Sequence, residues 1–309
     1  MKRFLVTGGA GFIGSHIVES LVRKKQAVRV LDDFSYGRRE NLKQVINQIE
    51  LIAGDICSED ICLQATKGID FVLHQAALRN VPKSLLNSRR YNEVNIQGTL
   101  NLLQASLVNK IKLFIFASSS SIYGDCTDMP KKEDSLPSPL SPYALTKLAG
   151  ESYCKIFSAN YNLPTVCLRY FNVYGPRQAL DNQYPAVIPK FIDCISRNKP
   201  LPINGTGQQR RDFVFIKDVV DLNILVTKKT AFRGDIFNVS GGRDYSILEI
   251  ADILKKISNK ELPLVFKKSR PADVFKTFAD LSKARKILGY KPQVNFVNGL
   301  KLTSDYFMN

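Results

Sequence analysis

Phe4-Leu5-Val6-Thr7-Gly8-Gly9-Ala10-Gly11-Phe12-Ile13-Gly14 decides how the rest of the chain is read. Phe4-Leu5-Val6 is a short apolar run of the kind that forms a buried strand. The glycines after it let the backbone turn tightly and approach a ligand closely. Ile17, Val18 and Leu21 then fall on one side of a helix. Val28-Arg29-Val30-Leu31 reads as a second strand and ends at Asp32-Asp33. Strand, glycine loop, helix, strand and acid, in this order and length, make a dinucleotide-binding unit. The helix N-terminus in such a unit turns N–H groups and a positive dipole end toward the pyrophosphate. Asp32 follows Gly14 by 18 residues. It is placed to accept hydrogen bonds from a ribose 2′-hydroxyl, which favours NAD over NADP because a 2′-phosphate would be repelled.

The same alternation continues outward. Residues 49–53, 71–74, 113–117 and 164–168 read as strands, and 91–108 as a helix with Ile96, Leu100, Leu103 and Leu107 at helical spacing. Alternating strands and helices predict an α/β fold of Rossmann type, a doubly wound parallel sheet with helices on both faces. Ligands bind beyond the carboxyl ends of such strands. Gly8, Asp32, Asp55, Ala76 and Ser119 all fall there.

Beyond Tyr170 the pattern loosens. Residues 176–211 are rich in Pro, Gly and Asn; 214–229 read as helix, 236–239 as strand and 247–257 as helix. This predicts a NAD-binding domain over 1–172 with a returning segment 212–241. A smaller C-terminal substrate-binding lobe would come from 173–211 and 242–309.

With 309 residues, 44% hydrophobic and 23% charged, the chain can bury a large core. No apolar run reaches the roughly 18 residues that a membrane span needs, and the glycines near the N-terminus speak against a targeting segment. Neither a Cys-x-x-Cys pair nor a His cluster is present among six cysteines and two histidines. No metal site or disulfide framework is therefore expected, and a cytoplasmic location fits. The net charge of +16 comes as scattered basic pairs such as Lys24-Lys25 and Arg38-Arg39. That pattern suits a solvated surface and a phosphorylated ligand better than nucleic acid.

Ser141-Pro142-Tyr143-Ala144-Leu145-Thr146-Lys147 reads as a helix start, with Ser141 as N-cap and Pro142 at the first helical position. Tyr143 and Lys147 then share one face. An ammonium beside a phenol favours the phenolate, so Tyr143 is a candidate base.

Together these residues resemble the extended short-chain dehydrogenase/reductase family, and more closely its UDP-hexose 4-epimerases. The resemblance spans nearly the whole chain. It rests on the Thr7 to Gly14 opening, the Ser119/Tyr143/Lys147 set, Arg169-Tyr170-Phe171-Asn172 and Arg270-Pro271-Ala272-Asp273 in family order. Ala272 departs from the Gly usual there. The resemblance implies that Gly8, Gly11, Phe12, Ile13, Gly14, Asp32, Ser35, Gly37, Asp55, Ile56, Gln75 and Ala77 contact NAD. Tyr143 would be the base, Lys147 would bind the nicotinamide ribose and tune Tyr143, and Ser119 would assist at the sugar 4-hydroxyl. Asn172, Arg211 and Arg270 would hold the UDP of a UDP-sugar substrate, with Asp273 near its ribose. Ser120 and Ser121 stand beside the substrate where related dehydratases and decarboxylases carry acids, so the ketose is expected to be reduced again. Four residues after Asp273, Thr277 matches a position that lines the sugar pocket; its small size implies room for an N-acetyl group. The resemblance also implies a homodimer through the 91–108 and 142–160 helices. Two alternatives remain open at this level: a UDP-hexuronate 4-epimerase, and a non-catalytic Rossmann protein that binds RNA through its basic surface.

Overall fold

Six strands in chain order, β1 (Arg3–Thr7), β2 (Ala27–Asp32), β3 (Glu50–Ala53), β4 (Phe71–His74), β5 (Leu113–Ser119) and β6 (Thr165–Tyr170), run parallel in one sheet. The structure is a computed structural model and describes residues 1–126, 128–179, 186–229, 231–269 and 274–308. Later in the chain come β7 (Asn172–Tyr174), β8 (Leu201–Asn204), β9 (Arg210–Phe215) and β10 (Asp235–Val239). They are followed by β11 (Asp244–Ser246), β12 (Leu264–Lys267) and β13 (Lys276–Thr277). Strand β10 adds to the edge of β6, which gives a seven-stranded sheet of order β10-β6-β5-β4-β1-β2-β3. The order reverses at β1, so the sheet is doubly wound, as the alternation predicts.

Side chains alternate between the two faces. Phe4, Val6, Phe71, Leu73, Leu113 and Ile115 join one apolar cluster. It packs Ile17, Val18 and Leu21 of α1 (Phe12–Arg23) near the later helix at 216–226. Leu5, Val72, Phe114 and Phe116 point the other way. They meet Cys62 and Ala65 of α2 (Glu59–Thr66) and the helices at 98–108 and 142–161. Full burial of such side chains contributes roughly 1.5–3 kcal/mol each, which makes this double-sided core the main source of stability.

Two short helices, α3 (Val81–Leu86) and α4 (Ser88–Asn92), follow β4. The chain then passes through a π-helical turn, Glu93–Gln97, into α5 (Gly98–Val108). The spacing predicts one helix over 91–108; the structure starts it earlier and widens it in the middle. The wide turn holds buried Asn95, whose Nδ2 donates to Leu78 O (2.9 Å) and Thr146 Oγ1 (3.0 Å) while its Oδ1 accepts from Leu78 N (2.8 Å). A π-turn at such a position often marks a functional site.

Helix α6 (Pro142–Tyr161) starts as the sequence predicts: Ser141 Oγ accepts from Ala144 N at 3.1 Å and Pro142 fills the first position. It lies close on β5 at Gly150, where a Cβ would stand 2.3 Å from the Phe116 ring. Four further helices are α7 (Val187–Ser196), α8 (Ile216–Val226), α9 (Ile247–Ser258) and α10 (Ser282–Leu288), and α11 (Phe296–Met308) ends the described chain.

A small second sheet is built around β9. Strand β11 pairs antiparallel with it, and β7 and β13 pair parallel. Helical spacing predicts a helix over 214–229; instead Phe213-Val214-Phe215 close a strand and the helix begins at Ile216. Bulky apolar β-formers win here because they fit a pleated, half-buried surface. A short parallel pair, β8 with β12, lies apart. Lys131, in the loop before α6, joins the sheets: its N–H donates to Phe278 O (2.7 Å), and its carbonyl accepts from Asp280 N (2.8 Å) and Asn238 Nδ2 (2.9 Å). Among the described residues no helix is long and apolar enough to cross a membrane. All six cysteines are free thiols.

Candidate active site

The turns after β1, β2, β4, β5 and β6, together with one wall of the small sheet, line a cleft of about 1610 Å³. Pockets for one small ligand run to about 1,000 Å³. The cleft therefore has room for two extended ligands.

One half is shaped by the glycine loop. Gly8 has φ +64°, and a Cβ there would lie 2.7 Å from Ala76 N. At Gly14 a Cβ would lie 2.1 Å from Gly8 O. Neither position tolerates a side chain, so bare backbone faces the cleft at the start of α1, where N–H groups suit a pyrophosphate. Asp32 closes the far end of this half. It is buried, and its oxygens accept from Ala10 N and Phe34 N, each at 2.9 Å. Burial pushes this carboxyl up, while the two N–H groups pull it down. A carboxylate has about four acceptor positions, so Asp32 keeps capacity for ribose hydroxyls. Ser35, Gly37, Asp55, Ile56, Gln75 and Ala77 line the same half with Gly11, Phe12 and Ile13. Among the described residues, buried Gln75 Oε1 and Gln178 Oε1 have no hydrogen-bond partner. Both residues line the cleft, and a buried polar atom left unpaired is costly unless a ligand meets it. This half therefore fits a dinucleotide.

Ser119, Tyr143 and Lys147 meet at the middle. Ser119 ends β5, and its Oγ accepts from Ser121 N (3.2 Å) and Ser121 Oγ (2.9 Å). The Lys147 ammonium donates to Ala117 O at 2.8 Å and stands 4.9 Å from the centre of the Phe116 ring. Burial lowers its pKa to about 8. Burial also raises the Tyr143 phenol, against the pull of a Ser119 hydrogen bond and the charge of Arg79. Spacing alone suggests that Lys147 lowers the phenol. In the structure Lys147 is engaged by a carbonyl, Arg79 is the cation pulling on Tyr143, and burial outweighs it. His74 lies below, buried between Thr7 Oγ1 (2.7 Å) and Thr99 Oγ1 (3.0 Å). Burial and the charge of Lys147 hold it down at about 3, so it is neutral.

The other half is walled by the small sheet. Register pairs Thr277 with Arg211 and Phe213 with Asn172, so Asn172, Arg211 and Thr277 fall on one face, and all three line the cleft. Asn172 Nδ2 donates to Asp212 O at 2.8 Å, and Arg211 Nη1 to Arg210 O at 2.8 Å and Phe275 O at 3.2 Å. The buried Thr277 hydroxyl has no hydrogen-bond partner among the described residues. Ser120 and Ser121 form the floor in a 3₁₀ turn. Arg270 and Asp273 lie outside the described residues.

Sequence reading missed several residues that line the cleft: Arg79, Tyr170, Arg177, Gln178, Tyr306 and Phe307. Arg79 was the most legible, since it follows the end of β4, where ligands gather. Arg177 was not: it has φ +66° and pairs with Glu19 of α1, which straps the loop after β7 over the glycine loop. Nothing in the local sequence signals that pairing.

A family model described as the NAD dependent epimerase/dehydratase family matches residues 4–240. A UDP-N-acetylglucosamine 4-epimerase from Methanobrevibacter ruminantium, solved with UDP-N-acetylmuramic acid, is 38% identical with a TM-score of 0.95, covering 99% of this chain and 98% of its own. A UDP-glucose 4-epimerase from Thermotoga maritima, solved with UDP-glucose, is 35% identical with a TM-score of 0.93, over 99% and 98% of the two chains. A UDP-glucuronic acid 4-epimerase from Bacillus cereus, solved with UDP-glucuronic acid and NAD, is 37% identical with a TM-score of 0.91, over 98% of each chain.

Proposed function

The chain belongs to the NAD dependent epimerase/dehydratase family, and from that premise we propose that it inverts carbon 4 of a UDP-hexose, with UDP-N-acetylglucosamine and UDP-N-acetylgalactosamine as the favoured pair. It is an NAD-dependent nucleotide-sugar 4-epimerase, an isomerase. The observation that carries the substrate choice is Thr277. A small residue whose buried hydroxyl has no hydrogen-bond partner among the described residues lines the wall that also carries Arg211 and Asn172. It leaves room for a 2-acetamido group and offers it a hydrogen bond.

In this reading the glycine loop, Asp32, Ser35, Gly37, Asp55, Ile56, Gln75 and Ala77 hold NAD, which when bound supplies reversible hydride acceptance from the sugar's carbon 4. Tyr143 takes the proton of the 4-hydroxyl and returns it after the sugar has turned. Ser119 hydrogen-bonds that hydroxyl and the phenol. Lys147 orders the cofactor ribose, and Arg79 supplies the positive charge that pulls on Tyr143. Asn172, Arg211, Arg270 and Asp273 anchor the UDP while the sugar turns. Arginine forks suit a diphosphate because they offer paired donors. Ser120 and Ser121 place no acid beside the sugar, so no elimination or decarboxylation competes with return of the hydride.

The NAD-binding part is assigned to 1–172 with 212–241, and the substrate lobe to 173–211 and 242–309. The boundary near 212 runs through β9. Leu145 and Ile156 are exposed three helical turns apart on α6, and Val108 is exposed at the end of α5. They support the expected homodimer through these helices. A cytoplasmic site of action accords with the free thiols.

One assay tests the reading: purified protein is given UDP-N-acetylglucosamine, UDP-glucose and UDP-glucuronic acid in parallel, and products are identified by NMR. UDP-N-acetylgalactosamine is expected as the main product. Conversion confined to UDP-glucuronic acid would establish the second reading, a UDP-hexuronate 4-epimerase. Arg79 favours that alternative: it lines the cleft with no ion pair among the described residues and could meet a carboxylate.

A further inference from the structure

Glu151 lies one turn beyond Lys147 on the buried face of α6. No step of the proposed chemistry uses it, yet it makes three short polar contacts beside the site. Its Oε1 accepts from Ser118 Oγ at 2.5 Å and from Arg169 Nε at 2.8 Å, and its Oε2 accepts from Arg169 Nη2 at 2.8 Å. The Glu151 and Arg169 side chains are 3% and 2% exposed. Arg169 also donates to Glu133 O at 3.2 Å and packs 4.7 Å from the centre of the Tyr123 ring.

A buried ion pair is weak evidence for stability, because desolvation offsets most of the attraction. Geometry gives this one a different use. Ser118 precedes Ser119 on β5, Arg169 precedes Tyr170 on β6, and Glu151 shares a helix with Tyr143 and Lys147. One carboxylate thus ties α6 to β5, the two elements that carry Ser119, Tyr143 and Lys147, and both of them to β6. Lys147 ties the same helix to the same strand through Ala117 O, so α6 is pinned to β5 at two successive turns.

We propose that Glu151 is a positioning residue: through Ser118 and Arg169 its carboxylate sets where Ser119, Tyr143 and Lys147 stand relative to one another. This rests on the reading that those three residues work on a UDP-sugar. The carboxylate has a second effect through space, since its charge favours the ammonium form of buried Lys147. The other groups that face this pair are Cys154 on α6, Cys167 and Arg169 on β6, Tyr123 after β5 and His74 on β4. Arg169 is the permanent charge among them, and Glu151 is the group that neutralises it.

Two variants test the proposal, assayed by epimerisation against pH with NAD content and thermal unfolding measured alongside. Glu151→Gln keeps shape and removes charge. Lys147 should then lose its proton at lower pH, so the alkaline limb of kcat should move down by about 1 unit or more, the usual effect of losing a nearby opposite charge. Ser118→Ala removes one 2.5 Å contact and leaves the ion pair. It should fold and retain NAD, leave the alkaline limb in place, and lower kcat by about 10-fold, short of the 10²-fold cost of a 1 Å misplacement. If Glu151→Gln does not fold, Ser118→Ala decides. Wild-type kcat in Ser118→Ala, or an unmoved alkaline limb in folded Glu151→Gln, reduces Glu151 to a structural ion pair and overturns the proposal while the epimerase reading stands. A wild-type protein that turns over no UDP-sugar removes both.

Discussion

Tyr143 stands where two opposing influences meet: burial raises its phenol, while Ser119 and Arg79 pull it down. Under the proposed function, Tyr143→Phe removes the proton-transfer group and little else. It should keep its NAD and lose about 10²–10⁴-fold in turnover, the usual worth of general acid–base catalysis; near-wild-type rates would show that another group moves the proton. Thr277→Tyr should close the room for the acetamido group, because overpacking costs ~1–3 kcal/mol. The ratio of kcat/KM for UDP-N-acetylglucosamine to that for UDP-glucose should fall, and an unchanged ratio would show that Thr277 is not the gate. Asp32→Ala removes the negative charge opposed to a 2′-phosphate, while Arg38 remains at the edge of the cleft. NADP should then bind measurably, and calorimetric titration with both cofactors reads the change. Motif spacing with a physical purpose singled out Tyr143 and Asp32 in the sequence, whereas Thr277 was singled out only through the family resemblance. Arg177 was not singled out, and neither was the pull of Arg79 on Tyr143, since both depend on long-range placement.

At the level of elements, the fit of α6 against β5 is the distance on which the centre of the cleft depends. Gly150→Ala would ordinarily favour a helix, since Gly costs about 1 kcal/mol relative to Ala. Here the new methyl meets the Phe116 ring at 2.3 Å. The helix should be forced outward, with a net loss of ~1–3 kcal/mol in stability and a larger proportional loss in kcat than in NAD affinity. Urea unfolding and kinetics on one preparation read both, and a more stable, fully active variant would show that the ring simply moves aside. The beginning of α6 was readable because Ser141 and Pro142 are local signals. Both the π-turn at Glu93–Gln97 and strand β9 were not. The first depends on Asn95 reaching Leu78 and Thr146, and the second on pairing with three other short strands.

Across the whole molecule, two buried groups give stability opposite dependences on pH. His74 is held down at about 3, below the ordinary value of 6.5. Its contribution is complete above 6.5 and is lost as pH falls toward 3, because the unfolded chain takes up the proton first. Asp212 is pushed up by burial from 3.8 to about 7. Its contribution is complete below 3.8 and is lost as pH rises to 7. Between about pH 4 and 6.5 the two slopes nearly cancel. His74→Asn should therefore leave a protein that gains stability on mild acidification relative to wild type, by the slope of about one proton. Urea unfolding at half-unit steps of pH measures this; parallel curves for variant and wild type would mean that His74 titrates normally when folded.

The path of the chain between its two sheets bears on how new specificities can arise in this architecture. It leaves the large sheet after β6, returns for β10 and leaves again for β11, and Lys131 stitches the two sheets together from a third direction. No single junction separates a cofactor module from a substrate module. A chimera that kept residues 1–240 and borrowed a tail without matching strands would strip β11 and β13 from β9, leaving both of its edges bare at Arg210 and Arg211 and open to association with other chains. A donor tail therefore has to bring strands that pair with β9 at Arg210 and Arg211 as β11 and β13 do. Side-chain changes within strands that already line the wall leave that pairing untouched, and so keep β9 covered while the sugar preference changes.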